Sequence, residues 1–221
     1  GGTAYVFHGP PDSNRLALTA DATILGKRGV SETGTALATG DFDGDGLDDL
    51  LVGAPVDSST GPGAGAVYLF LGPITGLIAA TDADGAVFGA EDRAWLGAAT
   101  DMPGDVDGDG TDDLFVGAPM AGSTDAGAGA VNLFLGGSAS IGEAVATWLG
   151  SGVDAHAGAA VSGAGDVNAD GWPDLVVGAP GAAGSSPGVG AAYIVLGPFE
   201  GSETLTSAAA ILGGDVTGDL A

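Results

Sequence analysis

Three short stretches of this sequence carry carboxylates at alternate positions. They are Asp41-Phe42-Asp43-Gly44-Asp45-Gly46-Leu47-Asp48-Asp49, Asp105-Val106-Asp107-Gly108-Asp109-Gly110-Thr111-Asp112-Asp113 and Asp166-Val167-Asn168-Ala169-Asp170-Gly171-Trp172-Pro173-Asp174. Oxygen-bearing side chains stand at positions 1, 3, 5 and 9 of each stretch, with glycine at position 6. Alternate residues of a tightly curled loop point inward, so this spacing gathers hard oxygen donors around one point, and glycine permits the sharp turn. The chemistry is that of a hard cation. Calcium accepts about six to eight oxygens in irregular geometry, whereas magnesium demands a stricter octahedron. Zinc and copper would want His or Cys, which the loops lack. Candidate ligands in loop I are the carboxylates of Asp41, Asp43, Asp45 and Asp49 with the carbonyl of Leu47. Loop II offers Asp105, Asp107, Asp109 and Asp113 with the carbonyl of Thr111. Loop III offers Asp166, Asn168, Asp170 and Asp174 with the carbonyl of Trp172. Asn168 replaces a carboxylate, so the third site is expected to bind more weakly. One such loop alone would read as a solvated acidic hairpin. Three in phase, each followed by the same apolar run, point to three calcium sites.

The elements that must position these loops repeat with them. The loops start 64 and 61 residues apart. A small, Gly/Ala-rich strand A precedes each: GTALATG (34–40), GAATDMPG (97–104) and GAAVSGAG (158–165). Strand B follows as LLVGAP, LFVGAP or LVVGAP, an apolar run suited to burial on both faces. Strand C recurs four times, at 2–9, 65–72, 129–136 and 190–197, and strand D at 22–26, 86–90, 146–150 and 209–213. Gly/Pro/Ser-rich joints such as 57–65 and 181–188 separate B from C. No segment has helical periodicity.

Four short strands per unit of roughly 60 residues predict the blades of an all-β propeller. Small side chains in strand A suit the crowded axis of such a fold. The expected division is a half blade at 1–33, blades at 34–96, 97–157 and 158–213, and a tail at 214–221. That is 14 strands, or three and a half blades. Propellers close with about four to eight, so the ring is expected to be completed by a longer array or by a second subunit. Two copies would supply the strands of a seven-bladed ring as a homodimer. The segment Gly214-Asp215-Val216-Thr217-Gly218-Asp219 resembles the start of a fourth loop but comes too soon after strand C, and reads as a D-to-A connection.

Composition narrows the partners. The 221 residues carry 29 acidic and 4 basic side chains, a net charge of −25, which repels nucleic acid and anionic membranes. Less than half of the acidic residues lie in the loops, and a salty habitat would account for the rest. The absence of cysteine excludes disulfides and thiolate metal sites. No apolar stretch approaches the roughly 20 residues of a membrane span. The chain begins inside a strand-like segment, so any secretory leader is expected outside it.

The loops, together with Gly53-Ala54-Pro55, Gly117-Ala118-Pro119 and Gly178-Ala179-Pro180, resemble the FG-GAP repeat of integrin α-subunit propellers. The "FG" half is degenerate and falls on Thr33-Gly34, Leu96-Gly97 and Ala157-Gly158. The resemblance implies a seven-bladed propeller with calcium in its A–B hairpin loops, and an extracellular adhesion or ligand-binding role with a protein or glycan as partner. The lack of cysteine and the abundance of Ala and Gly suggest a bacterial integrin-like protein.

Other residues are read as structural. His8 and His156 fall at a strand end and in a connection. Ser162 lacks a nucleophile-elbow pattern. Trp95 and Trp148 are expected to pack between blades, and Trp172 to cover the loop it belongs to. A propeller-scaffold hydrolase or lyase, and a purely structural spacer, are the alternatives to a binding module. The first would need convergent catalytic groups, while the repeated Asp are already engaged by calcium.

Overall fold

The computed structural model describes residues 1–10, 16–27, 29–122, 125–183 and 189–214. The stretch read as a D-to-A connection lies, after Gly214, outside the described residues. No helix among them is long and apolar enough to cross a membrane. The only helical segments described are three short 3-10 turns.

The expected strands form in the expected order. The half blade pairs β1 (Thr3–Val6) with β2 (Ala22–Leu25). Blade I is β3 (Leu37–Gly40), β4 (Asp49–Ala54), β5 (Ala66–Phe70) and β7 (Gly85–Phe88). Blade II is β8 (Ala99–Gly104), β9 (Asp113–Ala118), β10 (Ala130–Phe134) and β11 (Ala146–Leu149). Blade III is β12 (Ala160–Gly165), β13 (Asp174–Ala179), β14 (Ala191–Val195) and β16 (Ala210–Gly213). Within each blade successive strands are antiparallel, and strand A is at one edge. The chain is thus all-β, a run of propeller blades.

Two strands were not anticipated. β6 (Gly76–Ala79) pairs in parallel with β2, and β15 (Gly201–Thr204) pairs in parallel with β11. Each comes from the C–D connection of one blade and extends the sheet of the blade before it. The reason they escape the sequence pattern is physical. Both strands are short, and all of β15 is exposed. Their partners lie in a different repeat unit, so no local alternation announces them.

Packing runs between blades. One hydrophobic cluster joins Ala4, Ala22 and Ile24 to Leu50, Val52 and Tyr68, a second joins Leu51, Val67 and Leu69 to Leu114, Val116 and Phe134, and a third joins Phe115, Val131 and Trp148 to Leu175, Val177 and Tyr193. Strands B and C of blades I and II therefore bury both faces almost throughout, as their continuous apolar runs require, while those of blade III are half-buried on one face. The Gly-Ala-Pro and degenerate "FG" glycines meet at these junctions. Gly34, Gly97 and Gly158 lie at φ +94°, +85° and +83°, where only glycine is unstrained, and their N–H groups donate to the carbonyls of Gly53, Gly117 and Gly178 at 2.9, 3.0 and 3.0 Å. A Cβ on Gly53 would fall 2.2 Å from the Gly97 carbonyl oxygen, and one on Gly117 2.1 Å from that of Gly158. Two glycines at each of these junctions let neighbouring blades approach this closely.

Trp148 is 3% exposed and packs edge-on against Phe115 and Phe199, as an interblade residue should. Trp95 does not. It sits in the β7–β8 connection at φ +58° and is 41% exposed. Its place one residue before Leu96, which does enter the core, explains the misassignment.

Candidate metal centre

Each acidic loop joins strands A and B of one blade, and its carboxylates first organise its own backbone. Asp41 Oδ2 accepts the Gly46 N–H at 2.9 Å, Asp43 Oδ1 accepts Asp45 N–H at 3.1 Å, and Asp45 Oδ1 accepts Leu47 N–H at 2.8 Å. Loop II repeats this. Asp105 Oδ2 accepts Gly110 N–H at 2.8 Å, Asp107 Oδ1 accepts Asp109 N–H at 3.1 Å, and Asp109 Oδ1 accepts both the N–H and the hydroxyl of Thr111. Loop III has the same bonds from Gly171 N–H to Asp166, Asp170 N–H to Asn168 and Trp172 N–H to Asp170. The short side chains thus curl the chain by capping N–H groups one turn ahead.

Position 9 is different. Asp49, Asp113 and Asp174 are buried. Each spans two elements: one oxygen accepts the N–H of loop position 2 (Phe42, Val106, Val167), and the other accepts the N–H of the glycine that ends strand C (Gly72, Gly136, Gly197), at 2.7 to 3.0 Å. Burial pushes the Asp113 carboxyl up to about 6 against the pull of its two N–H donors, and raises Asp49 as well. Burial also acts to raise Asp105, but the N–H groups of Gly110, Gly108 and their neighbours outweigh it and hold that carboxyl below its ordinary value.

The carboxylates converge. Oxygens of Asp41, Asp43 and Asp49 lie within 4.8 Å of one another, as do those of Asp105, Asp107 and Asp109. Asp41 Oδ1 is buried and accepts no hydrogen bond. A charged oxygen in that condition is costly unless a cation meets it. The donor set, all oxygen, fits calcium or magnesium. In loop III the amide of Asn168 instead donates to Asp170 Oδ2 at 2.7 Å. Leu47, Thr111 and Trp172 sit at the outer rim, with Leu47 46% and Trp172 37% exposed.

Contacts between loops were not foreseen from the sequence. Asp112, at position 8 of loop II, reaches back to loop I, where its Oδ2 accepts the Asp41 N–H at 2.9 Å and its own N–H donates to the Asp41 carbonyl at 3.0 Å. Gly137 N–H adds a bond to the Phe42 carbonyl at 2.7 Å. Loop III has Pro173 at position 8, which has neither the N–H nor the carboxylate. The Trp172 ring reaches loop II, where it lies 3.8 Å from the place a Cβ on Gly108 would occupy. The signal for both was the variable residues at positions 7 and 8.

Comparison with known proteins agrees with this geometry. The FG-GAP repeat model matches residues 33–70, 98–133 and 157–195, half of the chain. The chain belongs to the FG-GAP repeat family. Its FG-GAP repeats are also similar to integrin alpha-IIb of Mus musculus, 36% identical over 166 residues, covering 72% of this chain and 16% of that protein. Integrin alpha-PS2 of Drosophila melanogaster is 35% identical over 180 residues (75% and 13%), and integrin alpha-8 of Gallus gallus 32% identical over 177 residues (76% and 17%). The chain therefore spans between about one eighth and one sixth of the length of these relatives. They are animal proteins, and the expectation of a bacterial source is not borne out.

Proposed function

We propose that this chain is a calcium-stabilised, integrin-like propeller module that serves adhesion at the cell surface or outside the cell by binding a protein or glycan. Calcium is structural in this reading. It is held in loop I by Asp41, Asp43, Asp45, the Leu47 carbonyl and Asp49, in loop II by Asp105, Asp107, Asp109, the Thr111 carbonyl and Asp113, and more weakly in loop III by Asp166, Asn168, Asp170, the Trp172 carbonyl and Asp174. The observation that carries it is the buried, unpartnered Asp41 Oδ1 amid converging carboxylates. The half blade at 1–33 and the blades at 34–96, 97–157 and 158–213 are its working units. A binding role is favoured over catalysis because Ser162, the serine weighed for a hydrolase reading, lacks a nucleophile elbow and directs its hydroxyl to Asp101 at 3.3 Å and the Gly163 carbonyl.

A dissociation constant of about 0.1 mM would stabilise each site by roughly 1.4 kcal/mol at about 1 mM calcium. Melting in calcium and in chelator, at moderate salt, tests the reading: the chelated protein melts lower, and identical curves would refute it. Further blades, or a second copy, fit the open end of the stack. Val176, Ala192 and Ile194 on the outer face of blade III are half-buried, while Leu51, Val67 and Leu69 at the same places in blade I are fully covered. Native mass in calcium distinguishes a monomer from a ring-completing homodimer.

A further inference from the structure

The junction between the half blade and blade I carries its own charged cluster, which lines one wall of a cavity there. Lys27, just beyond β2, places Nζ 2.7 Å from Ser59 Oγ and 3.7 Å from Asp57 Oδ2. The ammonium also lies 5.2 and 5.0 Å from the ring centroids of Tyr68 and Phe88, and the Tyr68 hydroxyl donates to Asp57 Oδ2 at 2.8 Å. The repeat makes the next junction a direct comparison. One unit on, Lys27 becomes Ala90, Asp57 becomes Ala121, Tyr68 becomes Asn132 and Phe88 becomes Leu149. All four changes are to smaller side chains. The four line a cavity of about 360 Å³ between blades I and II, together with Leu96 and Phe134. Among the described residues, the charged side chains lining it are Glu91 and Glu143. Glu91 is steadied by the Gly122 N–H at 3.0 Å.

A second difference opens the same place along its edge. From the end of strand C to the start of strand D is 13 residues in blade I (Gly72 to Gly85) and 13 in blade III (Gly197 to Ala210), but only 10 in blade II (Gly136 to Ala146). The longer connections have room for both a parallel strand on the preceding blade and a 3-10 turn. The shorter one forms neither. Its backbone at Ser140 and Ile141 packs against Gly85 at the start of β7, and among the described residues β7 has a ladder partner, β5, on one side only. Val87 and Phe88 of β7 border the cavity.

We propose that this wedge is the docking site for an extended, basic segment of a partner protein. The segment lies along β7 as the missing parallel strand, by the same main-chain pairing that β6 and β15 make elsewhere. It seats one lysine or arginine with its alkyl stem in the apolar cavity and its charged head beside Glu91 and Glu143. The site takes from a partner the cation that Lys27 supplies internally one junction earlier. The net charge of −25 speeds the approach of such a segment. The proposal is independent of whether the acidic loops hold calcium.

The test uses a fluorescein-labelled Thr-Val-Lys-Val-Thr peptide and its counterpart with glutamate in place of lysine, followed by fluorescence polarisation at about 0.15 M salt and constant calcium, where distant charges are screened. The lysine peptide is expected to bind saturably, and the glutamate peptide at least about ten-fold more weakly. Glu91→Gln and Glu143→Gln, both exposed and compatible with the fold, should each weaken the lysine peptide about three-fold or more. A variant carrying Ala90→Lys, Ala121→Asp and Asn132→Tyr rebuilds the internal cluster and should lose binding while melting no lower than the parent. Absence of saturable binding overturns the proposal. So does equal binding of the two peptides, or unchanged affinity in both glutamine variants, which would mark a general attraction to an acidic surface.

Discussion

Asp112 offers the sharpest test of how the blades are joined. Replacing it by alanine removes the carboxylate that accepts the Asp41 N–H at 2.9 Å and leaves the main-chain bond from residue 112 to the Asp41 carbonyl in place. A hydrogen bond to a charged acceptor contributes about 1.5–3 kcal/mol, and the stranded N–H adds its desolvation cost in this half-buried place. The expected loss is therefore about 1.5–3 kcal/mol, a fall in melting temperature of roughly 3–12 °C for a chain of this size. Asp112→Asn keeps an acceptor oxygen and should lose about half as much. The control is built into the repeat. Asp48 holds position 8 of loop I and is exposed, so Asp48→Ala should change stability by less than about 0.5 kcal/mol. Urea unfolding of the three variants, in calcium and in chelator, gives the comparison. Equal losses in Asp48→Ala and Asp112→Ala, or a loss below about 0.5 kcal/mol in the latter, would refute the inter-loop tie.

Trp148→Ala should cost about 3–5 kcal/mol, because a buried ring packed on Phe115 and Phe199 is lost, while Trp95→Ala should stay within about 0.5 kcal/mol; chemical denaturation reads both. Gly117→Ala places a Cβ 2.1 Å from the Gly158 carbonyl oxygen and should destabilise by about 1–3 kcal/mol, visible as a lower melting temperature. Asp57 gives a pH signature. Burial acts to raise its carboxyl, but the Ser59 and Tyr68 hydroxyls, the Ser59 N–H and Lys27 prevail and hold it below its ordinary value. Its folded pKa is thus depressed. The stability it contributes is present above the unfolded value near 3.9 and is lost as pH falls through the folded one. Melting from pH 6 down to 2.5 should show a steeper acid limb in the parent than in Asp57→Asn.

Much of this was legible in the sequence because the information was local and repeated. The B strands announce themselves as apolar runs between Asp and Pro, and the loops by alternate carboxylates, so the 14 expected strands form, and the carboxylates of Asp41, Asp43 and Asp49 and of Asp105, Asp107 and Asp109 come together as the spacing predicts. What was hidden depends on neighbours in another unit. β6 and β15 pair with strands of the preceding blade, and nothing in GLIA or GSET shows it. Asp112 resembles its counterpart Asp48 in sequence, yet Asp112 holds the Asp41 N–H while Asp48 is exposed. Trp95 and Trp148 have similar apolar surroundings in the chain. They are separated only by which one reaches an aromatic neighbour across the junction. The convergence around Asp41 was expected, but the use of the position-9 carboxylates as ties to strand C required the fold.

The parallel strands β6 and β15 change what counts as a repeat. A blade cut at its own strand D would leave its outer strand uncovered, since that cover is encoded some 50 residues later, inside the next unit. Duplication or loss of a single unit during evolution therefore exchanges a body from one blade and a strap from its neighbour in the same event. The heritable module is offset from the structural one. A recombinant array stays sealed only if each junction inherits a connection long enough to cross it, and the connection of blade II, three residues shorter than those of blades I and III, forms no such strap.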